Sequence, residues 1–272
     1  MVRRIIKWLV SRGVVDLVLN LHHLPHTITA VVGDGGDMGA HVRYSWEQPR
    51  VLGSAGGPKT ALPIVASDAF FIVNGDTLTD VDVHDLAAAH ERSGALVTLA
   101  LVPNREFDRY GGVVLDSNGA VTGFVRRGPS AEGSYHFIGV QMARAEAFRG
   151  VEPHVPANTI GGGVYDRLFA ERPGSVRGYV CDAAFWDVGT VDDYRRTSVE
   201  FMKREGQADT SVGERARIDP TARILRSILW DDVEVGAGAM LEECIVTDGV
   251  RIAAGAHHRR EVITAHHGTA HS

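Results

Sequence analysis

Phe70-Phe71-Ile72-Val73-Asn74-Gly75-Asp76-Thr77 is the stretch on which the reading of this chain turns. Four consecutive apolar residues, β-branched or aromatic, predict a strand buried on both faces, as in a parallel sheet. The run stops abruptly at Asn-Gly-Asp. In an open α/β sheet, ligands bind outside the carboxyl ends of the strands. Asp76 would then hang from a rigid support at the edge of a crevice. A carboxylate so placed suits a hard cation such as Mg²⁺, which takes one or two carboxylates and leaves its other positions to water and phosphate. A strand-ending turn, with Asp76 capping the next segment, fits the octapeptide equally well.

The chain has 272 residues, 44% of them apolar and 23% charged, enough for a large α/β domain and a small appendage. A net charge of −6 argues against a general nucleic-acid binder, which needs a basic surface. Two cysteines, Cys181 and Cys244, make no disulfide framework, and a reducing cytoplasm is expected. Lys7 interrupts the apolar N-terminus and no small-residue cleavage site follows, so a signal peptide is rejected. No run approaches the ~18 apolar residues of a membrane span.

Ile5, Ile6, Leu9 and Val10 share a helical face, with Gly13 as a stop. Residues 14–19 predict a second buried strand, followed by His22, His23 and His26 in a helix-entry loop. No Cys or carboxylate stands beside these histidines at metal-ligand spacing. Val42-Arg43-Tyr44 reads as a short strand. Residues 51–58, Val-Leu-Gly-Ser-Ala-Gly-Gly-Pro, lead into a helix that runs to about Leu62. Their small side chains leave backbone N–H groups free for a base edge or an anion, or form a flexible loop. Asp82 and Asp85 predict an N-cap and its partner for a helix through Ser93. Strands follow at 97–102 and 136–142, with a hairpin at 110–125 around Ser117-Asn118-Gly119. Residues 158–163 precede a helix over 164–171 and read as a loop rather than a phosphate seat. After a strand at 176–181, Thr190 and Asp193 form a capping pair for a helix to about Arg204. Asp187 stands just ahead of that turn, a second acidic residue on a loop.

The C-terminal part repeats with a spacing of 17: residues 218–222, 235–239 and 252–256 answer one another, as do 227–233 and 244–250. An aliphatic residue followed by small ones, recurring in this way, predicts a parallel β-helix. Two coils and a fragment fall short of the ~3 repeats needed for independent stability, so the module needs another surface to lean on. The tail carries His257, His258, His266, His267 and His271 and reads as a solvated end.

Taken together, Leu52-Gly53-Ser54-Ala55-Gly56, Asn74-Gly75-Asp76, Tyr110-Gly111 and Trp186-Asp187-Val188-Gly189-Thr190 with Tyr194 resemble the sugar-1-phosphate nucleotidylyltransferases, especially the mannose-1-phosphate guanylyltransferase-like proteins. The resemblance covers residues 5–256. It implies a Rossmann-like mixed-sheet nucleotidyltransferase domain over 1–205, a linker over 206–214, a short left-handed hexapeptide β-helix over 215–257 and a tail over 258–272. It further implies transfer of a nucleotidyl group, guanylyl foremost, from a nucleoside triphosphate to a sugar 1-phosphate, for NDP-sugar biosynthesis. Asp76 and Asp187 would be the catalytic pair that binds Mg²⁺. Leu52, Gly53, Ser54, Ala55 and Gly56 would lie against the nucleotide, and Tyr110, Gly111, Arg126 and Gly139 against the sugar. No nucleic acid or membrane partner is implied, and the β-helix offers a route to a homo-oligomer.

Three departures stand against the family pattern. The family opens with a buried strand, a Gly-x-Gly-Thr-Arg loop that cradles the triphosphate, and a Pro-Lys-Pro segment; none precedes Met1 in these residues. Its Glu-Lys-Pro sugar motif falls on Arg126-Arg127-Gly128-Pro129, which points to an acceptor with an extra anionic group or to an arginine in solvent. Its Asn-Ala-Gly strand reads Phe137-Ile138-Gly139. By the resemblance, residues 14–19 and 70–73 flank the opening strand, so they are expected to face a gap. The 272 residues alone are then expected to be poorly soluble or loosely packed and inactive, and a chain extended upstream by ~35–50 residues soluble and able to bind a triphosphate. A non-catalytic subunit of the same fold is the alternative. A β-helix acyltransferase is disfavoured, because no His within 216–256 could act as base.

Overall fold

Ile5, Ile6 and Leu9 are the buried face of the first helix, α1 (Val2–Ser11), which ends before Gly13 at φ 76°. The computed structural model describes residues 1–206 and 208–265. By its contacts the chain divides into two compact units, Met1–Asp187 and Val188–Ser272.

The first unit alternates strands and helices as the sequence predicts. Its strands are β1 (Asp16–Leu21), β2 (His41–Trp46), β3 (Ala69–Val73), β4 (Thr77–Thr79), β5 (Val97–Pro103), β6 (Gly112–Leu115), β7 (Val121–Val125), β8 (Tyr135–Arg144), β9 (Val176–Val180) and β10 (Phe185–Asp187). Helices α2 (Pro25–Val32), α3 (Gly53–Val65), α4 (Val83–Ser93) and α5 (Val164–Glu171) lie between them. The main sheet runs β7-β6-β8-β5-β9, with β3 also bonded to β8. It is mixed, since β5 pairs antiparallel with β8 and parallel with β9. Central β5 is buried through Val102. Val97, Leu99 and Leu101 enter one apolar cluster with Phe148 and Val176; Ala100 and Val102 enter another with Leu86 and Ile138. This period-2 alternation gives each face of the sheet its own core.

Two details follow the residues closely. Asp82 caps α4, its Oδ1 accepting from the amides of His84 and Asp85 at 2.8 and 3.2 Å. Pro25 opens α2 at a position where the missing N–H costs nothing.

The expected gap is present. Strand β1 pairs only with β2, in a separate two-stranded parallel sheet, and β3 pairs only with β8 among the described residues. A cavity of about 1520 Å³ is lined by Leu17, Leu19 and Asn20 on one side and Phe70, Ile72 and Asn74 on the other. This open edge corrects one expectation: β3 is half-buried along its whole length instead of buried on both faces.

In the second unit, α6 (Val191–Arg204) is capped by Thr190, whose Oγ1 accepts from the Asp193 amide at 3.1 Å. The sequence assigns this helix to the first domain; by contacts it belongs with the repeats. Parallel strands recur at the 17-residue spacing, one face being Ser211–Val212, Ile228–Leu229, Ile245–Val246 and Val262–Ile263. The parallel β-helix is therefore as expected but longer. It takes in part of the expected linker and passes residue 257, because Ser211 and Val262 are bonded as rungs. Leu229, Val246, Leu241 and Ile252 fill its interior. At one corner Arg226, Glu243 and Arg260 all take positive φ and stack by charge, with Glu243 accepting from both arginines. Of the tail histidines, His258 bonds Glu261 at 2.9 Å, and His266, His267 and His271 lie outside the described residues.

Candidate nucleotide and metal site

Asp76 and Asp187 come together through a strand pair that no local pattern announces. β10 runs antiparallel to β4, with Asp187 in register with Thr77. Asp76, one residue earlier and exposed, thus lies at the same end of this ribbon as Asp187. Thr77 Oγ1 donates to Asp76 Oδ1 at 3.5 Å. Gly139, at φ 75°, packs against this turn, where a Cβ would stand 2.8 Å from Thr77 Oγ1. Its carbonyl accepts from the Asn74 amide at 2.8 Å. Gly139 therefore positions the Asp76 loop, and it does not line the cavity.

Two carboxylates with hard oxygen donors fit Mg²⁺, whose remaining positions go to water and phosphate. Among the described residues no group of three or more His, Cys, Asp or Glu gathers to hold a metal. His22 and His23 follow β1, and His26 lies in the first turn of α2. Asp187 is faced by a cation of the protein: Arg109 Nη2 lies 3.9 Å from its Oδ2. The same guanidinium stands 4.9 Å above the Tyr110 ring.

Tyr110 belongs to an aromatic stack. Its ring centroid is 4.1 Å from that of His136, which lies 4.8 Å from Phe185. Asn104 holds the turn by donating to the carbonyls of Tyr110 and Gly111 at 3.3 and 3.4 Å. Gly111 lines the cavity, and so do His136, Phe137 and Gln141, none of which the sequence marked for the site. Burial lowers the His136 pKa to about 4, assisted by Arg109 and opposed by its bond to the Gly111 backbone. The imidazole is neutral at pH 7. In the unfolded chain it would titrate near 6.5 and bind more protons, so its contribution to stability is present above pH 6.5 and is lost as pH falls toward 4. His136→Phe is expected to flatten that part of the acid limb relative to wild type, read from urea midpoints at pH 7, 5.5 and 4.5. Parallel curves would show that His136 titrates normally. Arg126 is exposed and outside the cavity lining.

Residues 52–56 enter the helix earlier than the sequence suggests, since α3 begins at Gly53. Their backbone is tied to the segment opposite. Ala55 and Gly56 donate to the Ala157 carbonyl at 2.9 and 3.1 Å, Ala157 donates to Leu52 O at 2.8 Å, and Thr159 donates to Ser54 Oγ at 2.9 Å. Gly53 requires its glycine, with φ 74° and Asn158 Oδ1 2.6 Å from where a Cβ would stand. Only Gly53 and Ser54 of the five line the cavity. At the next glycine turn, the amides of Gly162 and Gly163 donate to Asp166 at 3.1 and 3.2 Å, so α5 caps itself and offers no phosphate seat.

Comparison with known proteins gives the family. The family model "Nucleotidyl transferase" matches residues 1–204, and "GlmU-like, C-terminal hexapeptide" matches residues 199–266. The chain belongs to the nucleotidyl transferase family. It is 26% identical over 258 residues to a mannose-1-phosphate guanylyltransferase of Mycobacterium tuberculosis, covering 90% of this chain and 70% of that one. It is 30% identical over 195 residues to D-glycero-alpha-D-manno-heptose 1-phosphate guanylyltransferase of Aneurinibacillus thermoaerophilus, covering 72% and 82%. The crystal structure of HddC from Yersinia pseudotuberculosis complexed with GMP-PN shares the fold, with a TM-score of 0.63 at 20% identity over 74% of this chain and 84% of that one. No helix among the described residues is long and apolar enough to cross a membrane.

Proposed function

We propose that this chain transfers a nucleotidyl group from a nucleoside triphosphate to a sugar 1-phosphate, releasing pyrophosphate and an NDP-sugar. The observation that carries the reading is the placement of Asp76 and Asp187 at one end of the β4–β10 pair in a member of the nucleotidyl transferase family. The relatives named above are nucleotidylyltransferases, so the alternative of a non-catalytic subunit finds no support among them.

In the reaction an oxygen of the sugar phosphate bonds to the α-phosphorus while the bond to the bridging oxygen breaks and pyrophosphate leaves. Positioning and charge neutralisation do most of the work in such transfers. Asp76 and Asp187 would hold Mg²⁺, which when bound neutralises the reacting phosphates. Gly53 and Ser54 would meet the base, and Tyr110 and Gly111 the sugar. Two guanylyltransferases among the relatives favour a guanine nucleotide. Release of pyrophosphate by the full-length protein, measured over a panel of triphosphates and sugar 1-phosphates, tests this reading; no release with any pair would overturn it.

Arg126 bears on the acceptor. A guanidinium where the family carries a sugar-binding carboxylate suits a sugar phosphate with a second anionic group, through bidentate pairing. Arg126→Ala is then expected to raise the Michaelis constant for such an acceptor about tenfold. An unchanged constant for every acceptor assigns Arg126 to solvent. As part of the same proposal, the cavity between β1 and β3 receives one further strand, the β-helix mediates self-association, and the protein works in the cytoplasm, where the free thiols of Cys181 and Cys244 stay reduced.

A further inference from the structure

Glu47 follows β2 directly and is 4% exposed, yet it forms no ion pair among the described residues. Buried carboxylates are ordinarily paired with a cation or a metal. Here both oxygens are met by neutral donors: Asn20 Nδ2 bonds Oε1, and the Leu52 amide donates to Oε2 at 2.6 Å. The backbone of the same residue is fixed as well, since His22 Nδ1 lies 2.7 Å from its carbonyl oxygen. Gly57 completes the enclosure, because a Cβ there would run into Glu47 Oε1 and Asn20 Nδ2. Three separate elements, the ends of β1 and β2 and the first turns of α3, therefore converge on one carboxylate.

What compensates this charge is the N-terminus of α3, a 13-residue helix whose dipole is positive there. The same position would otherwise attract a phosphate. The amides at this end divide cleanly. Leu52 donates to Glu47, Ala55 and Gly56 donate to Ala157, and those of Gly53 and Ser54 have no protein acceptor among the described residues. Gly53 and Ser54 both line the cavity. Two donors are thus on offer beside a fixed negative charge. An uncharged acceptor gains from them, whereas an anion meets the carboxylate's repulsion.

We propose that Glu47 sets the polarity of nucleotide binding: its carboxylate reserves the Gly53 and Ser54 amides for an uncharged acceptor edge, that of a nucleobase, and turns the phosphates away from α3 toward Asp76 and Asp187. This rests on the reading of residues 52–56 as the nucleotide's seat. Glu47 is a positioning residue, since it acts through the Leu52 amide and through its field.

The test is calorimetric titration of the full chain, in EDTA, with guanosine and with tripolyphosphate as separate probes. Glu47→Gln keeps the shape and removes the charge. It is expected to strengthen tripolyphosphate at least fivefold, by removing the repulsion of an anion, and to change guanosine, which carries no charge, by less than about twofold. Gly57→Ala displaces the carboxylate but keeps its charge, so it weakens guanosine and leaves tripolyphosphate unchanged. Circular dichroism melts of all three proteins identify any variant that has lost its fold. A purely structural Glu47 would move both probes in the same direction, or neither, and either result overturns the proposal. Wild type that binds tripolyphosphate but neither guanosine nor adenosine, uridine or thymidine removes the nucleotide reading of residues 52–56, and this inference with it.

Discussion

Asp76→Asn and Asp187→Asn, made in the competent full-length protein, are each expected to lower nucleotidylyl transfer at least a hundredfold while leaving the melting temperature nearly unchanged. Asp76 is exposed, and Thr77 Oγ1 donates to it over a long 3.5 Å. Asp187 meets Arg109 at 3.9 Å with a side chain about one-third exposed. Exposed pairs of this kind contribute ~0–1 kcal/mol. Loss of one preorganised charge at a phosphate centre is larger; removing a single electrostatic donor elsewhere costs ~10²–10³ in rate. Asn keeps one oxygen and the size of the side chain, so the change isolates charge. The measurement is initial-rate pyrophosphate release over a Mg²⁺ series, beside a thermal melt. Equal rates in wild type and Asp76→Asn would remove the metal assignment, and a collapsed melt would make the residues structural.

Pairing the open edges of β1 and β3 is expected to have the largest effect on stability. Among the described residues each of these strands has one edge without a strand partner, and residues of both line the cavity. Backbone groups on such an edge would cost ~1–3 kcal/mol each if fully buried, less where the cavity admits water, and a folded domain has only ~5–15 to lose. The cavity, at about 1520 Å³, also exceeds the ~300–1,000 Å³ of ordinary small-molecule sites, leaving room for more than a ligand. A chain extended ahead of α1 by a strand, loop and helix (~35–50 residues) is expected to melt at least ~10 °C higher, at ~2–4 °C per kcal/mol for a domain of this size. It should also be less prone to associate through bare edges. A sharp transition in residues 1–272 alone, shifted upward by Mg²⁺ and a triphosphate, would show that the two edges need no partner.

Local chemistry made much of this fold legible. Asp82 with Asp85, Pro25, and Thr190 with Asp193 mark helix starts because a cap is a contact between near neighbours, and the 17-residue repeat marks the β-helix because each rung meets its own kind. What escaped depends on partners far along the chain. Glycines and a proline made residues 53–58 read as a loop ahead of a helix. They are helical because the Ala157 carbonyl takes two of their amides and because Glu47 and Val155 leave no room for side chains on Gly57 and Gly56. Glu47 itself carries no local signal beyond being the acidic residue that follows β2. Asp76 and Asp187 were each visible as an acid at the end of an apolar run, but only the β4–β10 register brings them to one end of the same ribbon. β3 looked fully buried because an apolar run does not show how many of its edges are paired, and among the described residues only β8 bonds it.

The corner formed by Arg226, Glu243 and Arg260 has a consequence for how this protein can vary. Each of the three interlocks with a residue 17 positions away, and so do Arg215 with Asp232 and Thr221 with the Gly238 amide. Inserting a single residue within a coil would throw every later rung out of phase, exchanging inward aliphatic residues for outward charges. Gain or loss of an entire coil preserves every contact type. Length in this half of the molecule is therefore quantised, and related chains should differ there by whole turns, while the loops of the first unit are free to drift one residue at a time.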